Sequence, residues 1–152
     1  MVLTHYDVTK EIVLATDASK DGMGAALMHR FQDGSLHPIM HFAATFNAAE
    51  KNYSQIEKEA RAFIFRLKRT HFYIFGRSIT AQVDHKPLLS IFGSKSGIPV
   101  YTANRLQRWA LIVMAYDIKF EFVGTNSFGY VDVVSRLMSE QTRNDEDCSN
   151  SD

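Results

Sequence analysis

The 152-residue chain is predicted to form a single α/β domain. Two features of the sequence predict this fold class. Three short apolar runs typical of β-strands come first, and segments of helical periodicity then alternate with two further strand-like runs. Hydrophobic residues make up 45% of the chain, and 11 of them are Phe, which is enough to bury one substantial core.

The three N-terminal runs are expected to form an antiparallel meander. They cover residues 12–17, 24–29 and 36–43, and the first run is apolar until it ends on Asp17. Between the second and third runs, Gln32-Asp-Gly-Ser35 carries the Asp-Gly signal of a tight hairpin. Short connections of this kind place consecutive strands side by side in opposite directions.

A long amphipathic helix is predicted after the meander. Asn47, with Glu50 three residues later, is typical of a helix N-cap. We expect the helix to break near residues 53–54, to run to about Ile74 and to stop before Gly76. Its apolar positions are separated by basic residues; the apolar ones are Ile56, Ala60, Phe63, Ile64 and Leu67, and the basic ones are Lys58, Arg61, Arg66 and Lys68.

The second half of the chain is predicted to alternate strands with helices. Residues 79–84 indicate a strand that again ends on an acid, and residues 87–92 a short helix with Pro87 in its first turn. Strict alternation over residues 118–123 is typical of a half-buried strand. Two more helices are expected, one with an apolar face of Leu106, Trp109, Ala110, Val113 and Met114, and one starting within residues 131–138.

The distribution of charge divides the chain into a mildly basic body and an acidic tail. Residues 1–140 carry 16 basic and 13 acidic residues, which permits a polyanionic partner without requiring one. We expect residues 1–10 to form a lead-in segment, residues 11–139 the folded domain, and residues 140–152 a disordered acidic tail or linker.

Composition and the N-terminal sequence predict an intracellular, cytoplasmic protein. No apolar run approaches the ~20 residues of a membrane span, and the N-terminus lacks a signal-peptide pattern. The single cysteine, Cys148, excludes an intrachain disulfide, as suits a reducing compartment.

Four acidic residues lie at informative places in this predicted fold. Asp17 and Asp84 each end a strand, Glu59 shares the apolar face of the long helix, and Asp132 opens the last helix. If the two strands that end on Asp17 and Asp84 are parallel neighbours, these acids lie together at the carboxyl ends of the strands, where open α/β sheets bind ligands. Asp17 taken alone also suits the hydrogen-bonding residue of a turn.

A cluster of carboxylates indicates a cation-binding site. Gathered acids repel one another unless positive charge neutralises them, and an acid on a core-facing stripe is costly unless it is paired. Oxygen ligands without a Cys or His cluster indicate Mg²⁺ or Mn²⁺ rather than zinc.

An ordered series of motifs resembles the ribonuclease H domain of reverse transcriptases from Ty3/Gypsy-type long-terminal-repeat retrotransposons. The resemblance covers residues 3–137. Each motif alone is a weak signal, but the whole set in the family's order is specific. The motifs are Leu14-Ala-Thr-Asp-Ala-Ser19, Gly22-Met-Gly-Ala25, His37-Pro38 with His41-Phe-Ala43, Asn52-Tyr-Ser-Gln-Ile-Glu-Lys-Glu-Ala60, Asp84-His-Lys-Pro-Leu88, Ile91-Phe-Gly93, Arg105-Leu-Gln-Arg-Trp-Ala110 and Val131-Asp-Val-Val-Ser-Arg-Leu137.

The resemblance implies a ribonuclease H-like fold, with a five-stranded mixed sheet of three antiparallel and two parallel strands flanked by helices. It implies that Asp17, Glu59, Asp84 and Asp132 match four metal-binding catalytic carboxylates, with Asp17 bridging two Mg²⁺ or Mn²⁺ ions. The implied reaction is hydrolysis of the RNA strand of an RNA–DNA hybrid by two cations about 3.5–4 Å apart. The implied partner is the polymerase domain of a parent polyprotein, and virus-like particles are an alternative location.

Selectivity for RNA would come from contacts to 2′-hydroxyls across the minor groove of the hybrid. The candidate substrate-binding residues flank the acids, and they are Ala18, Ser19, Tyr53, Ser54, Gln55 and His85. Structural alternatives exist: Tyr53 as a core residue, Ser54 as a helix cap and His85 as a strand-end hydrogen-bond donor. Basic residues that could meet phosphates, or simply face solvent, are Lys95, Arg105 and Arg108, whereas Trp109 suits the core.

The last motif departs from the family pattern. Relatives commonly read Asn-Ala-Asp-Ala-Leu-Ser-Arg where this chain has Tyr130-Val-Asp-Val-Val-Ser-Arg136, and Phe128 stands where some relatives carry a histidine. Without that imidazole, proton transfer during product release would fall to water or His85, which would slow turnover without abolishing cleavage.

Three functions therefore stand as hypotheses. The first is a metal-dependent endonuclease for RNA–DNA hybrids, which the presence of all four acids favours. The second is a catalytically inactive module of the same fold that binds nucleic acid or supports a polymerase. The third is a nuclease of this fold that cuts DNA, which fold alone does not exclude.

Overall fold

A computed structural model of the protein describes residues 3–93 and 104–124 and shows a five-stranded mixed sheet at its centre. The strands are β1 (Glu11–Ala18), β2 (Gly22–Arg30), β3 (Leu36–Thr45), β4 (Ser78–Val83) and β5 (Asp117–Phe122). Their order in the sheet is β3-β2-β1-β4-β5; β1, β2 and β3 are antiparallel, and β4 and β5 continue in parallel from β1. The predicted mixed sheet is confirmed.

Four helices are described: α1 (Ala48–Lys51), α2 (Gln55–Ile74), α3 (Lys86–Phe92) and α4 (Asn104–Met114). The break between α1 and α2 confirms the predicted interruption, and its cause is a second N-cap. Asn47 caps α1 with Glu50, and Ser54 caps α2 with Glu57, each pair forming a reciprocal capping box. Beyond Phe75, which caps the C-terminal end of α2, Gly76 has a φ of 76°, a left-handed conformation that glycine adopts without strain.

The core explains why β1 is a continuous apolar run rather than an alternating one. Ile12 and Leu14 belong to the main core with Phe63 of α2, whereas Val13 and Ala15 belong to a second apolar cluster. Successive strand residues point to opposite faces of a sheet, so both faces of β1 are covered. The strand that leads to Asp17 is therefore buried on both faces.

The segment before β1 is attached to the sheet through a buried imidazole. His29 is 0% exposed, and its Nε2 accepts a hydrogen bond of 2.8 Å from the Asp7 backbone N–H. The hydrogen therefore sits on Nδ1, which lies 3.1 Å from the Glu11 carbonyl oxygen and donates to it. Tyr6 stacks on the same ring, with 5.6 Å between the ring centroids.

Several sequence predictions lie outside the described residues. They concern Asp132, Lys95, Phe128, Tyr130, the helix within residues 131–138 and the tail at residues 140–152. Within residues 3–93 and 104–124, no helix combines the length and apolar character that crossing a bilayer would require.

Candidate active site at the carboxyl ends of the parallel strands

The strand register places Asp17 and Asp84 at the same level of the sheet. Parallel pairing of β1 with β4 runs as far as Ala15 opposite Gln82, and each aspartate stands two residues beyond its member of that pair. Asp17 is half-buried, and Asp84, which directly follows the end of β4 at Val83, is exposed. The two acids thus occupy adjacent strand ends, the position predicted from sequence.

Glu59 of α2 converges on the same place. Burial, together with the nearby carboxylates of Asp84 and Asp17, raises the pKa of Glu59 from its ordinary 4.5 to about 7. A hydrogen bond of 3.0 Å from the Gln55 Nε2 to a Glu59 carboxylate oxygen opposes this rise. The three acids, Asp17, Glu59 and Asp84, are close enough to repel one another, and we call them the carboxylate site.

The donor chemistry of the carboxylate site fits a hard divalent cation, whose charge would relieve the repulsion that raises the Glu59 pKa. Among the described residues, no three His, Cys, Asp or Glu side chains are grouped closely enough to hold an ion as they stand. Asp132, the fourth predicted ligand, lies outside the described residues. The complete ligand set therefore stays a prediction.

The turn that follows Asp17 has a fixed backbone. The Ser19 N–H donates to the Gly22 carbonyl at 2.8 Å, and the Gly22 N–H donates to the Ser19 Oγ at 3.1 Å. The Lys58 Nζ of α2 donates to the Lys20 carbonyl at 3.1 Å, which ties the turn to the helix that carries Glu59. A Cβ on Gly22 would lie 3.0 Å from the Ala44 carbonyl oxygen, so the close approach of β3 favours glycine there.

The predicted substrate contacts before α2 have structural partners in the chain. Ser54 is the N-cap, its Oγ accepting from the Glu57 N–H, as the helix-cap alternative proposed. The Tyr53 ring lies under the Arg105 guanidinium, 4.2 Å from its Cζ, and against Trp109. Arg105 also donates to Glu57 at 3.0 Å. A role for Tyr53, Ser54 or Gln55 in substrate binding stays a prediction.

His85 directly follows Asp84 and precedes α3. It occupies the N-cap position of that helix without a side-chain capping bond, and its buried Nδ1 has no hydrogen-bond partner among the described residues. Its contact with substrate stays a prediction.

Two basic residues of α2 are buried although they stand between the apolar positions of an amphipathic helix. An amphipathic pattern predicts that bases between apolar positions face solvent, but Lys58 is 9% exposed and Arg66 is fully buried. The spacing contained a signal for Arg66, because it lies three residues after Phe63 and seven after Glu59, on the buried side of the helix. Arginine is rarely fully buried, so its residue type does not indicate a buried position.

Comparison with known proteins places the chain in a family. Residues 7–116 match the sequence model of the RNase H-like domain found in reverse transcriptase. The retrovirus-related Pol polyprotein from transposon 297 of Drosophila melanogaster is 32% identical over 145 residues, which are 95% of this chain and 13% of the polyprotein. The transposon Tf2-3 polyprotein of Schizosaccharomyces pombe is 29% identical over 141 residues, which are 91% of this chain and 10% of that polyprotein.

Solved structures share the fold at low sequence identity. The foamy viral protease-reverse transcriptase in complex with dsDNA aligns with a TM-score of 0.64 at 18% identity, over 81% of this chain and 25% of that chain. Its complex with an RNA/DNA hybrid aligns at 0.59 and 16% identity, over 83% and 17% of the two chains. LC11-RNase H1, isolated from compost, aligns at 0.60 and 11% identity, over 86% and 94%.

Proposed function

Because the chain belongs to the RNase H-like domain family found in reverse transcriptases, we propose that it hydrolyses the RNA strand of RNA–DNA hybrids within a retrotransposon polyprotein. The observation that carries the proposal is the convergence of Asp17, Glu59 and Asp84, where burial and, after it, the two neighbouring carboxylates raise the Glu59 pKa to about 7. Perturbed acids that repel one another at a strand-end ligand position are typical of a functional site. An acid cluster without a cation would only destabilise the fold.

The residues of the carboxylate site, with Asp132, would hold two Mg²⁺ or Mn²⁺ ions. When bound, such a pair of cations supplies an activated water and stabilises the leaving 3′-oxygen. Gln55 holds the Glu59 carboxylate in place through its 3.0 Å hydrogen bond. Lys58, which anchors the turn after Asp17, fixes the distance between β1 and α2 at the site.

Recognition of the hybrid would use the same edge of the sheet. Ala18 and Ser19 directly follow Asp17 at the fixed turn, Tyr53 lies six residues before Glu59, and His85 directly follows Asp84. The foamy viral relative, whose complexes with dsDNA and with an RNA/DNA hybrid are known, supports a duplex partner for this fold. A polymerase domain is the second proposed partner, because the curated relative is a Pol polyprotein many times longer than this chain.

One assay separates this proposal from an inactive module and from a DNA nuclease. The protein is incubated with labelled RNA–DNA hybrid, duplex DNA and duplex RNA, with Mg²⁺ or Mn²⁺ and with chelator, alongside Asp17→Asn. We expect cleavage of the hybrid alone, dependent on metal and lost in the variant. Hybrid binding without cleavage would favour the inactive module, and cutting of duplex DNA would favour the DNA nuclease.

A further inference from the structure

Arg66 is a buried cation with few partners. It is 0% exposed, and its Cζ lies 3.8 Å from the centroid of the Phe63 ring. The Nη1 donates a long hydrogen bond of 3.4 Å to the Gln82 carbonyl oxygen. Within residues 3–93 and 104–124, the buried Nε and Nη2 atoms have no hydrogen-bond partner and no ion pair includes Arg66.

The surroundings of Arg66 direct its charge toward the carboxylate site. Seven residues separate it from Glu59, which is about 10.5 Å along a helix and within about 20° of the same face. Helical side chains lean toward the N-terminus, so the guanidinium extends from α2 in the direction of Glu59. Gln82, its hydrogen-bond acceptor, is the last β4 residue paired with β1 and stands two residues before Asp84.

A purely structural role does not account for this arrangement. A buried charge is costly unless a counter-ion or a full set of hydrogen bonds compensates it, and Arg66 makes one long bond. Burial lowers the pKa of Arg66 to about 9, so the guanidinium stays protonated at neutral pH. By contrast, Arg61 on the same helix bonds the Glu50 carboxylate at 2.6 Å. The attraction of Glu59 is the electrostatic interaction that favours the charged form of Arg66.

We propose that Arg66 is a built-in counter-charge of the carboxylate site, which stabilises the acids when no metal is bound and thereby lowers their affinity for divalent cations. The inference rests on the proposed function, since it assigns metal binding to Asp17, Glu59 and Asp84. Arg66 touches neither substrate nor metal in this account; it acts through the field that it imposes on the three acids. The site then fills only at a higher concentration of divalent cation than the acids alone would need.

The test is the affinity for Mn²⁺, measured by calorimetry at fixed ionic strength and pH 7. Arg66→Met and Arg66→Gln both remove the buried charge, and we expect each to bind Mn²⁺ about ten-fold more tightly than the wild type. Arg69→Met removes an exposed charge from the same helix and should stay within about two-fold, because solvent screens that position. The rise in Tm on adding Mn²⁺ should be larger in both Arg66 variants than in the wild type.

The sign of the change separates an electrostatic role from a structural one. If Arg66 only packs the helix, its loss loosens the site, and Mn²⁺ binding weakens. Unchanged or weaker binding in Arg66→Met and Arg66→Gln would overturn the proposal, as would failure of both variants to fold even with Mn²⁺. A separate outcome concerns the metal site itself. If Asp17→Asn binds Mn²⁺ as tightly as the wild type does, the assignment of the metal site to these acids is overturned.

Discussion

Two charged clusters on the same sheet are built in opposite ways. In the Arg30 cluster, the Arg30 Nη2 donates to both Glu121 carboxylate oxygens at 3.0 Å and Nη1 lies 3.6 Å from Glu11. Thr80 donates to Glu11 at 3.0 Å, and the Gln82 side chain donates to Glu121 at 3.2 Å. In the carboxylate site, Asp84 and Asp17 lie near enough to Glu59 to disfavour its charged form, and two nitrogens of the nearby Arg66 have no hydrogen-bond partner among the described residues.

The direction of the pKa shifts shows what the difference means. Burial on its own would raise the pKa of Glu121, but the hydrogen bonds from Arg30 and Gln82 outweigh it and hold that pKa below the ordinary value. For Glu59, burial and the neighbouring acids act together and raise the pKa. Paired charges stabilise the sheet at the Arg30 cluster, whereas burial and like charges at the carboxylate site disfavour the ionised form of Glu59, a perturbation that is common at functional sites.

The largest expected effect is on catalysis, from Asp84→Asn. It removes one charge from the carboxylate site and should slow hybrid cleavage at least about 100-fold, because divalent cations contribute several kcal/mol to such transition states. The free energy of unfolding in chelator should be unchanged or higher, since a repulsive charge is lost. Parallel cleavage assays and urea titrations check both; a variant that is less stable and fully active would place Asp84 in a structural role.

Arg30→Met should have the converse effect. Removing the cation leaves Glu121 and Glu11 without their partner, and we expect a loss of about 2 kcal/mol in the free energy of unfolding. Cleavage per folded molecule should not change, because Arg30 pairs with Glu11 at the far end of β1, about 20 Å from Asp17. Urea denaturation and the cleavage rate at saturating metal measure the two quantities. A large loss of activity in well-folded Arg30→Met would contradict the assignment of a purely structural role to the Arg30 cluster.

Glu59→Gln should change how stability depends on pH. Folded Glu59 keeps a proton that the unfolded chain releases near 4.5, so the wild type loses stability as the pH rises from about 4.5 to about 7 and then levels off. Discounted for its partial exposure, the loss amounts to about 1–2 kcal/mol. The free energies of unfolding of wild type and variant are measured with urea in chelator at pH 4.5 and at pH 8. The change in their difference between the two pH values isolates the contribution of Glu59. A constant difference would argue against a raised pKa.

Glu121→Gln should have the smallest effect. The amide keeps one of the two oxygens that accept from Arg30, replaces the other with an NH2 group and loses the charge, and Glu121 is partly exposed. We expect a loss of about 0.5–1 kcal/mol, which is typical of a partly exposed ion pair. Added salt should shrink the gap between variant and wild type, as screening predicts. A gap that persists at 1 M salt would assign the stabilisation to hydrogen bonds rather than charge.

Much of the fold was predictable because its signals are local. Asn47 and Ser54 are followed by acids at the spacing of a capping box, and Gly34 in the Asp-Gly turn has the φ of 85° that such a turn uses. The acids Asp17 and Asp84 were found in the same way, since each follows an apolar strand-like run. These signals need no knowledge of distant parts of the chain.

The contacts of the buried Arg66 could not all be predicted, because one of them depends on the pairing of distant elements. Its environment is made by Phe63 beneath the guanidinium and by the carbonyl of Gln82, which is brought there only when β4 pairs with β1. Gln82 also joins the two clusters: its backbone accepts from Arg66 and its side chain donates to Glu121. No periodicity in the sequence indicates such a link between the faces of the sheet.

The imidazole of His29 has a practical consequence for anyone preparing this domain. A protein started at Glu11, the first residue of β1, would lack the Asp7 N–H, and the Nε2 of a fully buried ring would lose its only hydrogen-bond donor among the described residues. An unsatisfied buried group of this kind costs about 1–3 kcal/mol, a large part of the stability of a small domain. The shortest stable version of the domain therefore begins at or before Tyr6, whose carbonyl forms the peptide bond that gives Asp7 its amide N–H.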